Sequence, residues 1–280
     1  MGILDGLFRR QRRVTEDLET VSLEGGVKGL RFQAANVQGL GDRDGQEDSF
    51  ALCNAADAAA LRREGLFAVV ADGMGGMSDG KAVSEGAVEV LTQLFHALRE
   101  EGNVPQQLRE GIFAASDGLF ERFCGRGGTT VVAVRVFDST LHWISVGDSA
   151  IFLKRNGGVF QINREHTCLN DLYLQELRQE PIEKERAERH EDARRLTAFV
   201  GMQNLRTADQ SLRPLKLEDG DVILLCSDGI SGVLTPAEVL EAMSLDPQEG
   251  CALLENMVLE KRIPEQDNYT GVMIACKSIR

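Results

Sequence analysis

The sequence predicts an α+β fold: a layered αββα sandwich of two mainly antiparallel β-sheets packed on each other and flanked by helices. Three observations predict it. Short apolar, β-branched runs recur from near Leu30 to the C-terminal end. Several are joined by hairpin-length connections, whereas parallel neighbours need a long crossover. Two amphipathic helical patterns sit together between the early and the later strands.

Taken in order, RFQAANVQ, SFALCNA (49–55) and GLFAVVAD (65–72) read as strands. The period then changes. Val83, Ala87, Val90, Leu91, Leu94 and Leu98 share one helical face, and residues 104–123 repeat the pattern through Leu108, Ile112, Ala115, Leu119 and Phe123. Strands return at 129–138 and 140–149, with a tight Ser-Thr connection. Residues 150–163 form a second hairpin, for which Asn156-Gly157 supplies the left-handed turn. Residues 165–200 are charged and mostly helical in tendency, with Pro181 near the middle; this is the expected flap. DVILLCSD (221–228) is a buried strand, 236–244 and 247–261 are helices, and YTGVMIACKSI is a closing strand.

The 280 residues suffice for a full core, and one domain over 29–280 is expected. Residues 1–28 read as an appendage, with RRQRR at 9–13 beside a small apolar face. That stretch suits a frayed terminus, or less readily a membrane-surface or partner contact. No run approaches a transmembrane span, and no secretory signal is present. Six cysteines without CxxC or close pairs suit reduced thiols, hence a cytoplasmic location. The net charge of −13 disfavours nucleic-acid partners.

The acids are not scattered evenly. Asp72 ends the apolar run FAVVAD, and three glycines follow within four residues. Asp228 ends DVILLCSD, Asp148 follows HWISVG, Glu47 and Asp48 directly precede a strand, and Asp267 does the same. Asp-Gly alone is a common turn dipeptide. Acids at the ends of so many apolar strands point instead to converging carboxylates, which repel one another unless cations lie between them. Oxygen ligands of this kind select magnesium, manganese or calcium over zinc. The glycines after Asp72 let backbone approach closely, and the Gly73 carbonyl is a candidate ligand.

In order, RDGQED, VVADGMGG, GGTT, VGDS, LLCSDG and DN span roughly residues 31–276. Together they resemble the metal-dependent serine/threonine protein phosphatases of type 2C, in their bacterial form. The resemblance implies two or three Mn2+ or Mg2+ ions. Asp72 would bridge two of them. The Gly73 carbonyl and Asp228 would complete the protein share, and Glu47 would hold metal-bound waters. Asp267 would be a further ligand, beside Asn268 on the substrate side. Asp148 would serve a third, looser ion, and Asp48 would support the site without necessarily touching metal. Arg43, four residues before Glu47, matches the phosphate-binding arginine. Residue by residue there are departures: Gln46 stands where Asn is common, Met74 where many eukaryotic members carry histidine, and Ala150 where Arg is frequent.

The implied reaction is in-line attack on phosphorus by a hydroxide held between two cations, which releases a serine or threonine alkoxide. Arg43 would grip the phosphate with its planar fork. The implied partners are phosphorylated protein substrates of a serine/threonine kinase. Two other readings stay open: a non-catalytic scaffold that binds phosphoproteins, and a hydrolase of small phosphate esters.

Overall fold

The computed structural model describes residues 30–55, 57–98, 103–179, 181 and 183–278. The expected extension over 1–28, and any contact made by 1–13, lies outside the described residues. The chain begins with β1 (Leu30–Gly39), β2 (Ser49–Cys53), α1 (Ala58–Glu64) and β3 (Leu66–Ala71). The long helices α2 (Gly80–Ala97) and α3 (Val104–Phe123) follow. Next come β4 (Val131–Phe137), β5 (Thr140–Val146), β6 (Ala150–Arg155) and β7 (Gly158–Gln161). After α4 (Cys168–Glu176) and α5 (Lys184–Glu188) lie the two-residue strands β8 (Asp209–Gln210) and β9 (Leu215–Lys216). The chain closes with β10 (Val222–Cys226), α6 (Asp228–Ser231), α7 (Pro236–Ala242), α8 (Pro247–Glu260) and β11 (Tyr269–Ser278).

Two sheets result. One runs β1-β11-β10-β6-β7; the other runs β2-β3-β4-β5-β8, with β9 also on β5. Every pairing among these strands is antiparallel. The side-chain period of two explains the layers. On β3, Leu66, Ala68 and Val70 face the other sheet and pack with Ile151, Ile223, Leu225, Val272 and Ile274. Phe67, Val69 and Ala71 face outward onto Val83, Ala87, Leu91 and Ile112 of α2 and α3. The far sheet has the same plan: Leu224, Cys226 and Met273 meet Val239, Leu254 and Val258 of α7 and α8. Central strands buried on both faces therefore read as continuous apolar runs rather than alternating ones. The sandwich with outer helices is the architecture the sequence predicts.

Local chemistry sets the boundaries. Asn103 caps α3 by accepting from Gln106 N at 3.2 Å, with proline in the first turn. Thr235 and Glu238 form a capping box on α7. The β6–β7 turn uses Asn156 at φ 51° and Gly157 at φ 78°, as its dipeptide predicts. The β4–β5 turn differs from expectation. Thr140 already pairs with Phe137, and the turn residues are Asp138 and Ser139, both at positive φ. Aspartate tolerates that region better than threonine, whose β-branch clashes there. Helix α1 has no counterpart in the expected elements. It is only seven residues long, and Asp57 nucleates it by accepting from Ala59 N and Ala60 N at 2.9 Å each.

Register brings the acids to one end of the sandwich. Ala71, which ends β3, pairs with Ser49, which begins β2. Cys226, which ends β10, pairs with Gly271 near the start of β11 and with Ala150 at the start of β6. Val146, which ends β5, pairs with Val131 at the start of β4. Asp72, Asp48, Asp228, Asp267 and Asp148 lie one to two residues beyond those ends.

Candidate metal centre

A layer of buried hydroxyls fixes this end of the two sheets. The Ser227 hydroxyl donates to Asp48 Oδ2 at 2.8 Å and accepts from Thr270 N at 2.9 Å. Thr130 Oγ1 lies 2.6 Å from Ser149 Oγ and accepts from Asp72 N at 3.2 Å. Thr129 Oγ1 donates to the Asp72 carbonyl at 2.7 Å. Each hydroxyl stands next to an acid in sequence or across a strand pair, so the carboxylates sit on rigid strand ends rather than mobile loops.

Their electrostatics are unfavourable without a counter-charge. Asp48 is 1% exposed, and its Oδ1 is shut off from solvent without a hydrogen-bond partner. Burial, then the charges of Asp228 and Asp267, push its carboxyl to about 6 against the pull of the Thr270 and Ser227 hydroxyls. Burial pushes Asp148 to about 7, with Asp228 and Glu165 adding to it. Asp72 lies well above the ordinary carboxylate range, from burial first and then from Asp48, Asp228, Asp148 and Asp267. Asp228 is also raised, by dense surrounding protein and by Asp267. Yet Asp228 is among the exposed residues, so the cluster opens to water on its side.

Gly73 adjoins this cluster. A Cβ there would stand 2.6 Å from the Glu47 carbonyl oxygen and 2.9 Å from the Gly80 backbone. Its backbone also bridges to Thr129. Only glycine lets three backbone segments meet beside Asp72.

The loop carrying Arg43 and Glu47 is strapped to the segment before β11. Asp42 N donates to Gln266 O at 2.8 Å, and Gln266 N donates to Asp42 Oδ2 at 3.1 Å. Asn268 is 4% exposed. Its amide donates to Leu40 O at 2.8 Å, and its Oδ1 accepts from Glu47 N at 2.7 Å. The Asn268 side chain thus ties Glu47 to the loop at Leu40. Arg43 does not pair with Asp42 or Asp44; its Nη2 donates to Asp267 Oδ2 at 2.8 Å.

The segment 165–200 forms α4, α5 and their connections, closed at the base by a bridge between Thr167 and Leu196. His166 N donates to Gly147 O, and Thr197 N donates to His166 O, both at 2.8 Å. The base is thus fastened to the loop that carries Asp148. Arg194, in the turn that follows α5, places a positive charge close enough to Asp228 to oppose the rise in its pKa. Neither Arg194 nor the hydroxyl layer is among the expected site residues. The hydroxyls had a signal, since GGTT, GDS and CSD set one beside each strand end. Arg194 had none, because it faces the site through the fold of the segment.

Among the described residues, no group of three or more His, Cys, Asp or Glu side chains is close enough to hold a metal ion by itself. A cation fits the cluster on other grounds. The donors are oxygens, one is buried and unpartnered, and the carboxylates resist simultaneous ionisation unless positive charge joins them. The expected ligand set also includes a backbone carbonyl and water, which a grouping of side chains omits.

Known proteins agree with this architecture. A serine/threonine phosphatase, stp, from Listeria innocua is 30% identical over 183 residues, covering 62% of this chain and 70% of that one. The crystal structure of the Mycobacterium tuberculosis serine/threonine phosphatase PstP/Ppp superposes with a TM-score of 0.69 at 26% identity, over 88% of this chain and 98% of that one. A catalytic domain of PstP in complex with 2 manganese ions gives 0.67 at 26% identity, over 89% and 99%. The family description protein phosphatase 2C matches residues 46–256, which span the acid-bearing strand ends from Asp48 to Asp228. The chain therefore belongs to the protein phosphatase 2C family.

Proposed function

We propose that this enzyme is a divalent-metal-dependent protein phosphatase that hydrolyses phosphoserine and phosphothreonine, on two or three Mn2+ or Mg2+ ions. One observation carries the reading: acids from both sheets meet at one end of the sandwich, where burial and mutual repulsion demand positive charge. Manganese in the related PstP domain supports the choice of cation.

Asp72, Asp228, Asp267 and the Gly73 carbonyl would hold the ions, Glu47 would act through water, and Asp148 would serve the looser position. Bound there, divalent cations supply Lewis-acid charge that makes water a nucleophile near neutral pH. The chain's own residues do the rest. Arg43 sits at the open side, where a guanidinium can take two phosphate oxygens at once. Asp48, held by the Ser227 hydroxyl, keeps negative charge behind the ligands and sets their spacing. Asp228 faces solvent, so substrate reaches the cluster from its side. The segment 165–200 borders that mouth and is the natural support for a phosphorylated protein chain, the product of a serine/threonine kinase.

The test is turnover of a phosphothreonine peptide and of an aryl phosphate by chelated protein, with Mn2+ titrated back. Activity should appear only with metal. Asp228→Asn should lower it by about 100-fold or more, the range for loss of a preorganised charge at the reacting centre. Asp148→Asn should be milder and leave the tightest calorimetric Mn2+ step in place. Near-normal turnover by Asp228→Asn at saturating Mn2+ would sink the assignment.

A further inference from the structure

Two residues with separate proposed ligands hold each other. Arg43 Nη2 donates to Asp267 Oδ2 at 2.8 Å, and Asp267 Oδ1 accepts from Asn268 N at 2.8 Å. Each oxygen of Asp267 thus already carries a protein donor. The pair sits at the mouth, with side chains 48% and 45% exposed. The backbone beneath is fastened by the Asp42–Gln266 exchange and by Asn268 to Leu40. Arg43 can therefore leave Asp267 by side-chain rotation alone. Gly75 lies beside the pair: a Cβ there would stand 2.7 Å from Glu47 Oε2 and in ordinary contact, 3.6 Å, with Arg43 Nη1.

We infer that the Arg43–Asp267 pair is a latch that couples cation loading to phosphate capture. The inference rests on the metal-centre reading above. A cation that takes Asp267 competes with the guanidinium for the same carboxylate and frees it. A phosphate that takes Arg43 removes the competitor from Asp267. The coupling is reciprocal by thermodynamic necessity, so each ligand tightens the other by the same factor. Arginine suits the task because its charge is permanent and its fork fits carboxylate and phosphate equally well. Before loading, the latch also gives Asp267 a counter-charge that Asp48 and Asp72 lack.

The test is calorimetric Mn2+ titration of chelated protein, without substrate, across a double-mutant cycle. Arg43→Gln should tighten one Mn2+ step by about two- to fivefold, the range for an exposed ion pair. The same change in an Asp267→Asn background should do nothing, because the competed carboxylate charge is gone. Inorganic phosphate should tighten that step in the wild type and fail to do so in Arg43→Gln. Equal tightening in both backgrounds would mean a diffuse charge effect and overturn the latch, as would no tightening in either. Absence of any Mn2+ binding by folded wild-type protein would overturn the metal-centre reading itself, a result distinct from the other two. Melting curves of all four proteins confirm folding; both positions are exposed, so the core is untouched.

Discussion

Stripped of divalent cations, this protein should lose stability as the pH rises from 5 to 8. Asp48 titrates at about 6 and Asp148 at about 7, against 3.8 for a free aspartate. A folded carboxyl with a raised pKa binds more protons than its unfolded counterpart. Its stabilising effect is complete below the unfolded value and is lost as the pH climbs through the folded one. At roughly 1.4 kcal/mol for each pH unit between 5 and the folded value, the loss in this window is about 1.4 kcal/mol for Asp48 and about 3 kcal/mol for Asp148. Both respond to the charge of Asp228, so the two losses are not independent and the larger figure is the better guide. For a chain of this size that is a fall in Tm on the order of 10 °C. Carboxylates of the usual kind act in the opposite sense, but below the window: Glu238, held by Lys261, titrates at about 2. The assay is thermal unfolding in chelator at half-unit steps of pH, repeated with excess Mn2+. Metal should abolish the fall and release protons as it binds, seen as a buffer-dependent heat. Asp148→Asn and Asp48→Asn should each flatten the profile. A level or rising profile in chelator, or the same slope in both variants, would refute the argument that these acids are destabilised by burial and one another.

Two further outcomes follow from the same end of the sandwich. Gly73→Ala should destabilise by about 2 kcal/mol and weaken Mn2+ binding, because its Cβ would meet Glu47 and Gly80 backbone that no rotamer change can move; denaturant midpoints and calorimetry read the two effects. Asn268→Ala should cost about 2 kcal/mol, since Glu47 N–H and Leu40 C=O each lose their partner. Faster hydrogen exchange at the Glu47 amide would separate that cause from general loosening.

What could be read in advance depended on range. β3, α2 and α3 were legible because their signals are local: a doubly buried strand has no alternation, and the helices show a clear 3.6-residue stripe. The acids were legible because a charge at the end of an apolar run is conspicuous. Strand order was not, since β1 meets β11 across the whole chain and no local pattern encodes it. β8 and β9 are held by pairing with β5 over two residues each, too few to leave a period. The Arg43 partner escaped for the same reason. Asp42 and Asp44 are its sequence neighbours, but the strap to Gln266 turns Asp42 away and brings Asp267 in.

The bridge between Thr167 and Leu196 has a consequence for how this enzyme can vary. It joins two points 29 residues apart in sequence but adjacent in space, so the ends of the intervening chain are held whatever lies between them. Closing such a loop costs little more when it is lengthened, about 0.6 kcal/mol per doubling. The segment is in effect a cassette clamped at its neck. Its helices can be lengthened, recharged or exchanged for those of a relative while His166 still holds the loop of Asp148. On the proposed reading of this segment as the substrate's support, recognition can diversify in one piece of chain while the carboxylates, fixed on strand ends of two packed sheets, stay as they are.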